Sequence, residues 1–126
     1  MLVVTYQRGD TKIEAVIPYK TIATGCVVDN PGIDGAVALR VIKEIEGFII
    51  SISKEKILDA FKLLPSKEGI FAEPTGDLSV AGLIFALEKG LISSGQKVVC
   101  INSAGGFKNL KTLLERIIIR GKSLFL

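Results

Sequence analysis

The fold of this chain is constrained most by an alternation: short runs of β-branched and apolar residues take turns with longer stretches whose apolar residues recur three and four apart. Leu2-Val3-Val4-Thr5-Tyr6 reads as a first strand and Ile13-Glu14-Ala15-Val16-Ile17 as a second, closed by Pro18. Phe48-Ile49-Ile50-Ser51-Ile52 and Lys97-Val98-Val99-Cys100-Ile101 read as two more, with GIFAEP, residues 69–74, as a short extended piece. Helices are predicted between them. The first covers residues 35–46, entered through the turn Asn30-Pro31-Gly32, capped by Asp34 and ended by Gly47, with Val37, Val41, Ile42 and Ile45 at helical spacing. The second covers residues 54–64, with Ser53 as N-cap, Glu55 in the first turn, Ile57, Leu58, Phe61 and Leu64 on one face, and Pro65 as its stop. The third covers residues 77–89, is rich in small residues, starts at a Thr75 or Asp77 cap and closes at Gly90; a last helix is predicted from Leu110, Leu113, Leu114, Ile117 and Ile118. Strand and helix in alternation predict a parallel sheet with helices on its faces. The expected fold is therefore a three-layer α/β/α arrangement with a mainly parallel sheet, built as a single domain over residues 1–126.

Composition removes several function classes. The chain has 126 residues, 48% of them hydrophobic, enough to bury a core without staples. Its longest apolar runs fall well short of the roughly 18 residues that span a bilayer. The amino terminus lacks a basic segment followed by a long apolar one and a small-residue cleavage site, so a cytoplasmic location is expected. A net charge of +3, spread along the chain, and 6% aromatic residues argue against nucleic acid as a partner. Cys26 and Cys100 stand far apart in apolar surroundings with no histidine in the chain, which predicts buried reduced thiols and no metal site. The absence of histidine and tryptophan, with a single methionine, fits the avoidance of labile residues in thermophiles. The apolar surplus points to a buried sheet or an oligomer face.

Three loops carry the residues that could do chemistry. Asn102-Ser103-Ala104-Gly105-Gly106 follows a predicted strand and precedes a predicted helix, the place where open parallel sheets collect ligands. Its glycines permit close backbone approach, but it lacks both the Lys-Ser/Thr pair of a P-loop and the GxGxxG spacing, so a plain turn stands beside a ligand contact as its reading. EGIFAEPTGDLSVAGL, residues 68–83, holds Glu73 ahead of Pro74; this acid is either a general acid or hydrogen-bond acceptor, or a solvated loop acid. In YKTIATGCVVDNP, residues 19–31, Thr21, Thr24 and Gly25 suit ligand contact and equally suit a turn that satisfies its own backbone.

Taken together, TIATG leading to Asn-Pro, then EGIFAEPTGDLSVAGL, then KVVCINSAGGFKN, resemble in order and spacing the C-terminal part of the threonine synthase family. That family belongs to the fold-type II pyridoxal-phosphate enzymes, with threonine dehydratases, cysteine synthases and the tryptophan synthase beta subunit. The resemblance runs from about Val3 to about Asn109. It implies that Ser103 hydrogen-bonds the pyridine nitrogen of pyridoxal 5'-phosphate, that Glu73 shapes the ring pocket, and that Thr21, Thr24, Gly25 and Gly105 line it. It also implies a lyase of amino-acid biosynthesis, in which water replaces the γ-phosphate of O-phosphohomoserine.

Two family features have no counterpart in these 126 residues. No lysine stands in the Ser-Phe-Lys-Asp-type context of the family's Schiff-base lysine, and no glycine-rich phosphate loop precedes Thr21. The resemblance therefore implies a truncated threonine-synthase-related chain with no catalytic residue of its own, which does not hold the cofactor alone. Asp77 is a further departure, because the family places small residues there. The expected partners are a second copy of the chain or a chain supplying the missing N-terminal part. The alternative is a non-catalytic module of the same fold that oligomerises or binds a small metabolite.

Overall fold

A computed structural model of the chain describes residues 2–10, 13, 20–28 and 30–109. Its chain divides into two compact units, one formed by Met1–Thr21 with Gly25–Ser51 and the other by Ile22–Thr24 with Ile52–Leu126.

In the first unit, helix α1 (Leu2–Gln7) packs against helix α2 (Gly32–Glu44). The expected first strand is thus a helix. Six residues, three of them β-branched, satisfy either state, and packing decides between them. Thr5 is buried, and the Tyr6 hydroxyl donates to the Gly47 carbonyl at 2.9 Å. Two hydrogen bonds, from the Gly9 and Asp10 amides to the Tyr6 and Thr5 carbonyls, close α1. Lys43 then reaches back from α2 to the Gly9 and Asp10 carbonyls, at 3.4 Å each. The N-cap position of α2 is Pro31 rather than Asp34, which lies inside the first turn where its charge complements the helix dipole. Leu39 is the buried anchor of α2, while Ile33 and Ile45 at its two ends are exposed.

In the second unit, α3 (Lys54–Glu68) and α4 (Leu78–Glu88) pack on each other. Ser53 caps α3 as expected: its Oγ accepts from the Lys56 amide at 3.4 Å, and its extended backbone turns the chain into the helix. The Glu55 carboxyl is held below the usual range, first by its own backbone amide and then by the Ser53 hydroxyl. Pro65 does not stop α3. The helix passes through it to Glu68 and ends at Gly69 in the left-handed conformation, whose amide donates to the Pro65 carbonyl. A proline removes one donor, and so near the carboxyl end the loss is small enough for the last turn to form.

Ala60 on α3 and Ala81 and Ala86 on α4 are buried, and small residues at these positions let two helices approach closely. Lys56, at the start of α3, pairs with Glu88 at the end of α4 at 2.5 Å. Ile22, Ala23 and Ile57 form a buried cluster, with Ile52, Leu58 and Leu78 packed against it. Three rings continue the apolar contact outward: Phe61 meets Phe71 edge-on at 5.8 Å, and Phe71 meets Phe107 edge-on at 5.1 Å.

Among the described residues there is no strand ladder. Residues 48–52 and 97–101 are not helical, as expected, but neither pairs with a neighbouring strand. Among the described residues, the one β-type pairing is an isolated antiparallel bridge between Ala72 and Gly105. Residues 14–17 of the second expected strand and the expected helix from Leu110 onward lie outside the described residues. Among the described residues, no helix is long and apolar enough to cross a membrane.

Candidate functional site

Pro74 is the local cause of the site. The residue before a proline is pushed out of the helical region, so residues 71–73 stay extended and the chain turns only after Glu73. It then closes through a hydrogen bond from the Asp77 amide to the Glu73 carbonyl at 3.1 Å, and α4 starts from there, with the Ala81 amide donating to the Asp77 carbonyl at 2.9 Å.

The loop at residues 102–106 is fixed against this piece. The Glu73 amide donates to the Ala104 carbonyl and the Gly106 amide to the Phe71 carbonyl, both at 3.0 Å, on either side of the Ala72 and Gly105 bridge. Two glycines make the approach possible. A Cβ on Gly76 would press into the Asn102 side-chain oxygen and stand 2.9 Å from the Ala104 carbonyl, and a Cβ on Gly106 would stand 2.5 Å from the Phe71 ring. From the side of α4, the Cys100 thiol donates to the Ser79 carbonyl at 3.8 Å.

The expected site residues divide between the two units. Ser103, Gly105 and Glu73 come together on the docked loop and its platform, and Thr24 belongs to the same unit, whereas Thr21 and Gly25 belong to the other. Ser103 is exposed at the head of the loop, and around Gly105 a Cβ would meet nothing within 4 Å. Glu73 is only 6% exposed, which removes the reading of a solvated loop acid. Thr24 and Gly25 lie in a short 3₁₀ turn, Thr24–Cys26, and are exposed; Thr21 is half-buried. Cys26 is exposed, contrary to the expectation of a buried thiol, because the 3₁₀ turn lies at the surface; Cys100 is half-buried.

Asp77 is the residue whose importance the sequence understates. It occupies the N-cap position of α4, yet its helical backbone (φ −71°, ψ −11°) accompanies a carboxyl that makes no cap bond, unlike the extended backbone of Ser53. It is completely buried, 0% exposed, and neither carboxyl oxygen has a hydrogen-bond partner. Burial pushes its pKa up to about 6. The available signal was an acid set among small residues, Gly76 before it and the small residues of α4 after it. Among the described residues, no group of three or more acids and cysteines is arranged to hold a metal.

Residues 2–104 match the family model described as pyridoxal-phosphate dependent enzyme. The chain belongs to the pyridoxal-phosphate dependent enzyme family. Membership assigns it to the α/β class. The relatives of this family member include the threonine synthase of Methanocaldococcus jannaschii, 41% identical over 97 residues that make up 75% of this chain and 24% of that protein. The threonine synthase of Halalkalibacterium halodurans is 38% identical over 98 residues, 78% of this chain and 27% of that protein. That of Mycobacterium tuberculosis is 33% identical over 102 residues, 81% of this chain and 28% of that protein. The chain spans about a quarter of the length of the curated relatives it matches.

Proposed function

We propose that this chain supplies the C-terminal, ring-binding portion of a threonine-synthase-type enzyme and is catalytic only together with the family's remaining segments, whether on the same polypeptide or on a second one. The observation that carries the reading is the identity to threonine synthases over about three quarters of the chain. In this reading residues 97–101 join a mainly parallel sheet of the three-layer family fold, and their apolar side chains become interior.

The docked loop suits half of the cofactor. Its main chain is anchored at Ala104 and Gly106, its head carries an exposed hydroxyl at Ser103, and the space around Gly105 is open. The Ser103 O–H would donate to the pyridine nitrogen and, being a poor acid, would leave that nitrogen unprotonated. Glu73, buried behind the loop, would back the ring pocket, and Gly105 and Thr24 of the same unit would line it. Among the described residues no glycine-rich loop is available for the phosphate. When bound, pyridoxal phosphate supplies an electron sink for the reaction of an amino-acid substrate.

The test mixes the purified chain with pyridoxal phosphate, alone and together with a polypeptide carrying the family's lysine and phosphate-loop segments. A visible absorption band of lysine-bound cofactor, and threonine formed from O-phosphohomoserine, are expected only in the mixture. Ser103→Ala in the same mixture is expected to keep the chain's association and to weaken cofactor retention. Absence of band and product from every mixture would overturn the reading and favour the non-catalytic module.

A further inference from the structure

The carboxyl of Asp77 has no use in the reading above, and its situation is the most costly for any polar group among the described residues. Both oxygens lack a partner and the residue has no exposure, so a charge there loses its hydration and gains no hydrogen bond in return. A neutral carboxyl pays far less. Protonation of this one group therefore governs whether the turn that contains it stays closed.

That turn is the platform for the loop at residues 102–106. The Asp77 amide is bonded to the Glu73 carbonyl, the Glu73 amide to the Ala104 carbonyl, and the Gly106 amide to the Phe71 carbonyl, while Gly76 lies against Asn102 and Ala104. Solvating an ionised Asp77 requires the turn at residues 73–77 to move, and every one of these ties runs through or beside that turn. We propose that the turn is a proton-controlled latch: with Asp77 neutral it clamps the loop that carries Ser103, and ionisation of Asp77 raises the population in which the turn is open and the loop released. The latch goes beyond the cofactor reading and does not require it.

No neighbouring charge defeats the latch. Glu73, in the same turn, is an acid and brings no positive charge to the site. The helix packed against α4 contributes Lys54, Glu55, Lys56, Asp59, Lys62, Lys67 and Glu68, of which Lys56 is engaged by Glu88 at the far end of α4, where Lys89 follows, and the segment around the loop contributes Lys97, Cys100 and Lys108. None of these donates a hydrogen bond to an Asp77 oxygen. The amino-terminal dipole of α4 favours the ionised form, but that attraction is not sufficient to offset burial, which holds the group's pKa near 6.

The sign follows from the raised pKa. Below the ordinary carboxyl value of 3.8 the acid is neutral whether the turn is closed or open, and between there and about 6 only the open form ionises. The open population should therefore grow by about tenfold per pH unit, about a hundredfold in all, and level off above.

Amide hydrogen exchange of the full chain from pH 4 to pH 7 tests this, each rate being divided by that of Asp77→Ala at the same pH to remove the intrinsic chemistry. The ratio at Glu73, Asp77, Ala81 and Gly106 is expected to rise by about a hundredfold, while the amides of α2 stay unchanged. A ratio that is flat with pH, or one that rises equally in α2, overturns the latch. Should Asp77→Ala not fold, Asp77→Asn serves as the non-titrating reference. A carboxyl carbon titration of Asp77 by NMR must then give a midpoint near 6, and a midpoint near 4 overturns the latch.

Discussion

Asp77 and Gly106 are governed by opposite demands at the same junction, one by a group that should not be charged and the other by an atom that should not be there. For Asp77 the consequence for global stability is direct. The folded chain holds its pKa near 6 against 3.8 for an ordinary aspartate, so the group subtracts stability as pH rises through that interval and subtracts a constant amount above it. Asp77→Ala is expected to raise the unfolding free energy by about 3 kcal/mol at pH 7 and to lose that advantage at pH 3.5, as read from urea titrations at both values. An equal effect at the two pH values would mean that packing, not charge, sets the difference. The sequence made Asp77 conspicuous by its small neighbours, but not its complete burial, which only the fold shows. Glu73 was ambiguous for the same reason: a buried and a solvated acid look alike until the Ala104 carbonyl is seen to cover its backbone.

The helices were legible as elements because their signals are local. Ser53 caps α3, the small-residue stretch forms α4, and the periodicity of residues 37–42 lies within α2, with Ile45 at its C-cap. Ser53→Ala is expected to cost about 1 kcal/mol, measured by thermal unfolding, by leaving the Lys56 amide without its acceptor. What failed were the decisions that local pattern cannot make. The run LVVTY has the composition of a strand and is the helix α1, because α2 and Gly47 offer it a packing surface and a hydrogen bond where no neighbouring strand is available among the described residues. Pro65 reads as a stop and is not one, because the cost of a missing amide shrinks in the last turn and Gly69 completes the cap. The antiparallel docking of residues 102–106 on residues 71–73 was invisible, since it joins segments on opposite sides of α4 through main-chain atoms that every sequence shares.

Taken as a molecule, the chain exposes apolar side chains where a complete sheet would cover them. Val99 is 88% exposed and Ile101 76%, within a run of high β propensity that has no strand partner among the described residues. An unpaired apolar run of this kind recruits whatever strand it meets. The double substitution Val99→Lys with Ile101→Lys is expected to abolish concentration-dependent association of the isolated chain in sedimentation velocity, while leaving the exchange protection of α2 intact. Persistent association would direct attention to another surface. The expected parallel sheet has no counterpart among the described residues, in a chain that corresponds to about a quarter of its relatives' length.

The loop at residues 102–106 is tied down by its own peptide groups, at Ala104 and Gly106, and not by any side chain it carries at 103. Position and chemistry are thereby separable at that residue. Replacing Ser103 by threonine, cysteine or aspartate changes which group is presented to a ligand while the backbone tether that presents it is untouched, so a series of such replacements, compared at one pH, would compare reactive groups on one mount. In that sense the loop is interchangeable tooling: the backbone is the holder, and residue 103 is the bit.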